Sequence, residues 1–182
     1  MPSQAQTELT VRLKDVKEII EAHVAITGAG RGRPAQKQGA AITRAGIVLL
    51  SAATEAYVED LYEEGARLLF VGMSDDDLKR LFRNTSKRLN NADVQKTELL
   101  FFNLGIPWVL QGISWRNFTN ATLRSDLDHL IVARNQIAHG RGQQINLWKL
   151  RRWKNMVEML APKLDDKVAL HIRTVTGQRP NW

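Results

Sequence analysis

Two side chains stand out in this sequence as a pair that could do chemistry. They are Arg134 and His139, in the stretch Arg134-Asn-Gln-Ile-Ala-His139-Gly140. A histidine can take or return a proton near neutral pH. An arginine can hold a phosphate through two parallel N–H bonds. On a helix at roughly 100° per residue, Leu123, Leu127, Leu130 and Ile137 form an apolar stripe with Arg134 in its middle. Three accounts of such an arginine are open. It pairs with a carboxylate such as Glu55 or Glu59, it reaches the surface along its stem, or it faces a cleft between chains where it can meet phosphate. His139 lies about 140° round the same wheel, so it converges with Arg134 only where the helix ends or bends, as Gly140 permits. The plain alternative for His139 is a residue that complements the dipole of a helix C-terminus.

Other candidates for chemistry are few. The chain has no cysteine, which excludes a disulfide scaffold, a thiolate metal site and a cysteine nucleophile. His23, His129 and His171 are far from His139 and from one another, without metal-binding spacing, so they read as structural and no metal or other cofactor is expected. The 182 residues carry 26 Lys and Arg against 19 Asp and Glu, a net charge of +7 at pH 7, which suits an acidic partner, most simply nucleic acid. The excess is localised. Residues 129–157 hold no acid but Arg134, Arg141, Lys149, Arg151, Arg152 and Lys154. Residues 22–54 hold no acid but Arg31, Arg33, Lys37 and Arg44. A basic field around an ionisable histidine attracts a polyanion and favours the imidazole's neutral, base form. Trp108, Trp115, Trp148, Trp153 and Trp182 offer base-stacking surfaces, although the helical spacing of Trp148 and Trp153 suits a core.

The elements that must position these residues are helical. Apolar residues recur every three or four positions, and almost nothing reads as strand. Ser3 with Gln6 resembles a capping box, opening a helix over roughly 5–27. Gly28 to Pro34 is a loop, read as a flexible connector or, less simply, as a basic arm that touches phosphate. A long helix follows over about 36–70, apolar all round in its first half and so expected to be buried on several sides. Short helices are expected over about 75–83 and 92–103, with an irregular stretch from Gly105 to Gly112. Thr119 or Asn120 caps a helix to about 138, and the last helix runs as one from near Asn146 to about Thr176, kinked at Pro162. The length suits one all-α domain over 1–182 with its core at about 8–176: four main helices, with two short ones between the second and third. No apolar run follows a basic start at the N-terminus and none reaches about 18–20 residues, so a signal peptide, a membrane span and a membrane partner are not expected, and the cytoplasm is.

The stretch Arg134-Asn-Gln-Ile-Ala-His139 fits the R-x4-6-H motif of HEPN domains, with the polar residue after the arginine present as Asn135. Val48-Leu-Leu-Ser-Ala-Ala-Thr-Glu55-Ala-Tyr57-Val-Glu-Asp60-Leu also resembles the second helix of the RiboL-PSP branch of that superfamily. Helix order and lengths extend the likeness over roughly residues 8–175. The resemblance implies a HEPN-like helical bundle and a metal-independent endoribonuclease, acting as a homodimer in which the motif helices meet at a two-fold axis. It implies His139 as general base or acid toward the RNA 2′-hydroxyl and leaving oxygen. Arg134 would stabilise the phosphorane-like transition state, and Asn135 would orient the histidine or the phosphate. With it go Glu55 and Tyr57 as supports, and Arg141, Lys149, Arg152 and Arg44 of the acid-free tracts as RNA contacts. A toxin or defence role fits, with an antitoxin or immunity protein as partner. The alternative is a non-catalytic helical module that binds RNA or a protein.

Overall fold

Ser3 opens the first helix, its Oγ accepting the Gln6 N–H at 2.9 Å, and α1 runs over Gln4–Thr27. The structure, a computed structural model, describes residues 1–28, 39–86, 91–141 and 145–182, side chains excepted at 83–86. The helices after α1 are α2 (Ala40–Leu69), α3 (Asp75–Ser86), α4 (Val94–Phe102), α5 (Asn120–Ala138) and α6 (Leu147–Thr176). Side-chain caps set three of these starts. Asp77 N–H donates to Ser74 Oγ at 3.2 Å, Lys96 N–H to Asp93 Oδ1 at 2.8 Å, and Thr122 N–H to Thr119 Oγ1 at 3.2 Å. Helix α6 passes unbroken through Pro162. The described residues form an all-α bundle with no strand, only an isolated bridge between Trp115 and Phe118. The expected start of α2 near Gln36 and the basic residues Arg31, Arg33 and Lys37 lie outside the described residues.

Helix α2 is the hub of the bundle: it lies along α1 and also packs on α6 and α5. Ile47, Leu50, Leu61, Leu130, Leu150 and Leu164 are completely buried where these helices meet. A polar tie runs through this core. The Tyr57 hydroxyl lies 2.8 Å from both Ala161 O and Asp165 Oδ1, and Asp165 Oδ2 accepts the Ser3 N–H at 2.9 Å. Three helices distant in sequence are thereby locked in one register. Burial pushes the Asp165 carboxyl up, opposed by its bonds to Ser3 and Tyr57.

Gly46 marks the closest approach of α2 to its neighbours. A Cβ there would sit 2.5 Å from Leu150 Cδ2 and 3.0 Å from Ile19 Cγ2. Leu150 is fully buried and has no room to yield. Gly46→Ala should gain about 1 kcal/mol of helix propensity but lose about 1–3 kcal/mol to overpacking. The expected outcome is a net loss of stability in urea unfolding, opposite to the usual glycine-to-alanine gain in a helix. A higher urea midpoint would refute it.

One expectation about α2 is corrected. Its apolar first half is not buried all round: Ala41, Ala45, Val48, Leu49 and Ala52 are exposed on one face. The expectation that no segment could span a bilayer is also too strict. Ala40–Leu69 has an 18-residue window of mean hydropathy 1.2, enough by length and composition, with 50% of that window buried inside the bundle. The sheltered half packs against α1, α5 and α6, as in a core helix.

The connection from α4 to α5 is irregular but pinned. Asn120 Nδ2 donates to Leu110 O at 2.6 Å and to Ile113 O at 3.0 Å. His171 Nε2 lies 2.9 Å from Leu104 O, and His23 is buried beside Gly39, so these two histidines serve the fold. His129 is exposed on α5.

Candidate functional site

The last two turns of α5 leave the core. Leu130, Ile131 and Ala133 are buried; Arg134, Asn135, Gln136 and Ile137 are half-buried; Ala138 and His139 are exposed. The helix then stops in a Schellman turn. Gly140 N–H donates to Ile137 O at 3.1 Å and Arg141 N–H to Gln136 O at 2.9 Å, with Gly140 at φ 69°. That left-handed angle suits glycine, and it sets His139 as the C-cap of the helix with its own N–H on Asn135 O at 3.0 Å.

Arg134 is held by its neighbour: Nη1 donates to Asn135 Oδ1 at 3.0 Å. Among the described residues it makes no close ion pair, with Glu55 and Glu59 included. The pairing account of Arg134 therefore gives way to a half-exposed guanidinium steered by a carboxamide. Glu55 does feel it. Burial pushes the Glu55 carboxyl up, while the charges of Arg134 and Lys96 pull it down. The His139 ring has no hydrogen bond to a described residue, and no bond within the chain joins it to Arg134.

Beside Glu55 on α2 stands Glu59, whose carboxyl is pushed up to about 7 by burial and then by Glu55, Asp60 and Glu63. The folded state thus binds this proton more tightly than the unfolded chain, whose glutamate titrates near 4.5. Stability from the protonated group is complete below pH 4.5 and is lost as pH rises through 7. Glu59→Gln should melt with the wild type at pH 4.5 and above it at pH 8. Equal differences in Tm at both pH values would show that Glu59 does not titrate in this way.

The basic residues divide. Arg141 and Lys149 are exposed and Arg44 is half-buried, each without an ion pair to a described residue. Arg152, expected at the RNA face, instead donates through Nε to Asp126 Oδ2 at 2.6 Å, and its guanidinium lies 5.4 Å from the Phe118 ring and 5.5 Å from that of Trp148. It is spent on holding α6 to α5. Lys154 pairs with Glu158. Trp153 is core, but Trp148 is exposed, against the reading of both as core. Tyr57 belongs to the buried tie with Asp165 and is remote from solvent.

A feature the spacing argument passed over is a cleft of about 880 Å³ between α4, the 107–108 turn and α5, with Asn135 on its wall. The signal was present. Leu99-Leu100-Phe101-Phe102 puts four large apolar residues in a row on a helix, and all four cannot face one core. Leu100 and Phe101 are buried, while Leu99 and Phe102 line the cleft.

The RiboL-PSP-HEPN family model matches residues 7–169 of this chain. No curated protein and no solved structure matches it.

Proposed function

Because this chain belongs to the RiboL-PSP-HEPN family, we propose that it is a metal-independent endoribonuclease acting as a homodimer. The observation that carries the proposal is the end of α5, where a half-buried guanidinium steered by Asn135 and an exposed imidazole with no hydrogen bond to a described residue stand at the helix stop. In the reaction, His139 takes the proton of an RNA 2′-hydroxyl. The 2′-oxygen attacks the adjacent phosphorus, the bond to the 5′-oxygen breaks, and that oxygen receives a proton from an imidazolium. The products are a 2′,3′-cyclic phosphate and a 5′-hydroxyl. Arg134 holds the extra charge on the phosphoryl oxygens as it develops.

The second copy supplies what one chain lacks. Arg134 and His139 belong to one helix but are not bonded to each other, so a composite site takes the arginine of one copy and the histidine of the other. The face Ala41, Ala45, Val48, Leu49 and Ala52 supports such pairing, since it leaves apolar surface in water on the helix that carries Glu55. Arg141, Lys149 and Arg44 supply the field for the polyanion; Arg152 does not. A toxin or defence effector, kept in check by an antitoxin or immunity protein, fits an enzyme of this type.

The test is incubation of the purified protein with labelled single-stranded RNAs in EDTA, with end-group analysis of the fragments and the mass measured in solution. Cleavage to cyclic-phosphate ends by a dimer supports the proposal. A dimer that binds these RNAs and leaves them intact supports the non-catalytic module instead.

A further inference from the structure

The cleft beside α5 carries more exposed apolar surface than a helical bundle needs. Leu99, Phe102, Trp108 and Val132 are 57%, 61%, 63% and 50% exposed, and all four line it. Trp108 stands at φ 55°, a left-handed angle that a bulky residue adopts at a cost. The turn that holds it there is closed by Gln111 N–H on Trp108 O at 2.8 Å and anchored through Asn120 to Leu110 O. The indole is thus presented on a fixed backbone and left in water.

The charged groups of the cleft are largely paired. Asp93, Glu98 and Asp128 line it, but Arg124 is bound to Glu98 and Lys96 Nζ lies 4.0 Å from Asp93. The cleft therefore offers a phosphate no free cation among its lining residues. Its neutral edge groups are Gln95 and Asn135. Asn135 is also the residue whose Oδ1 holds Arg134, so the cleft begins where the candidate phosphate site ends.

We infer that this cleft receives an unpaired base of the RNA, stacked on Trp108, while the phosphate stays outside at Arg134; the inference rests on the nuclease reading of that site. A base is flat, uncharged and rich in edge N–H groups, so it gains from an aromatic face and suits a cleft that offers its backbone no free cation. Phe102 and Val132 close the sides of the slot, and the carboxamides of Gln95 and Asn135, with the Asp128 carboxylate, face the base edge. The volume lies within the roughly 300–1,000 Å³ of small-ligand pockets, ample for a base with its sugar. An apolar peptide would suit the same surface, but nothing would then tie the cleft to Arg134 through Asn135.

The experiment measures binding of a fluorescein-labelled single-stranded RNA, and of the duplex of the same sequence, to full-length protein carrying His139→Ala to prevent cutting. Adding Trp108→Ala should weaken single-strand binding by about 5- to 150-fold, the range of one base–aromatic stack. It should leave the dependence on salt unchanged, because no charge is lost. Trp108→Phe should restore most of the affinity, Phe102→Ala should weaken it in the same direction, and duplex binding should not respond. Unchanged single-strand affinity in both alanine variants, with circular dichroism intact, overturns the inference and leaves the cleft to a protein partner. The nuclease reading fails separately. If unmodified protein binds RNA through Trp108 but does not cut it, the base site stands without the nuclease. If it cuts RNA and Trp108→Ala changes nothing, the nuclease stands without the base site. If it binds no RNA, both fall.

Discussion

His139→Ala is expected to slow RNA cleavage by about 10²- to 10⁴-fold, the range that a positioned general acid or base supplies. The fold should not notice. The ring is exposed and makes no hydrogen bond to a described residue, and the helix stop depends on the backbone of residues 135–141. An exposed substitution of this kind changes stability by no more than about 0.5 kcal/mol. Single-turnover cleavage in EDTA and thermal melting, measured side by side, make the check. A variant that cuts at the wild-type rate removes His139 from the chemistry, and one that melts early assigns it to the helix end instead. Arg134→Ala should behave alike, with a loss of about 10²- to 10³-fold for one group stabilising the transition state. Arg134→Lys should recover little. A lysine ammonium is a point charge without the planar fork, and it cannot reproduce the bond to Asn135 and a two-point hold on phosphate at once.

The second large effect is complementation between two dead proteins. If each site takes Arg134 from one copy and His139 from the other, mixing Arg134→Ala with His139→Ala after subunit exchange yields mixed dimers with one intact site and one doubly damaged site. Half of the dimers are mixed and half of their sites are whole, so about a quarter of wild-type activity should return. Two inactive parents giving an inactive mixture, with exchange verified by mass, would place both residues in one chain's site. Leu49→Glu is the companion measurement. A carboxylate on the exposed α2 face should reduce the dimer in solution and cleavage together, while leaving RNA binding by the monomer measurable.

Much of this architecture follows from local patterning. The four long helices appear where apolar residues recur at three and four, and two of them start at the side-chain caps Ser3 and Thr119 because capping depends on neighbours in sequence. The stop at His139 is legible for the same reason, since Gly140 must supply the left-handed turn. Family membership, too, lies in the sequence, because it rests on the order of residues over 7–169.

What the chain alone could not settle are contacts made between distant segments. Arg152 and Arg141 look alike within one acid-free tract, yet Arg152 is taken by Asp126, Phe118 and Trp148, which only the packing of α6 on α5 brings to it. Arg134 had three open accounts on a helical wheel. The fold left it beyond close reach of Glu55 and turned it onto Asn135, because where α2 lies against α5 sets that gap. Tyr57 became a strut because Asp165 arrives 108 residues later. The apolar cleft exists only because α4 and the Trp108 turn lie across α5. Periodicity and capping are properties of neighbours a few residues apart, so a sequence states them outright. Which charge is spent and which is left for a ligand depends on residues joined by folding, and that was decided by the tertiary structure.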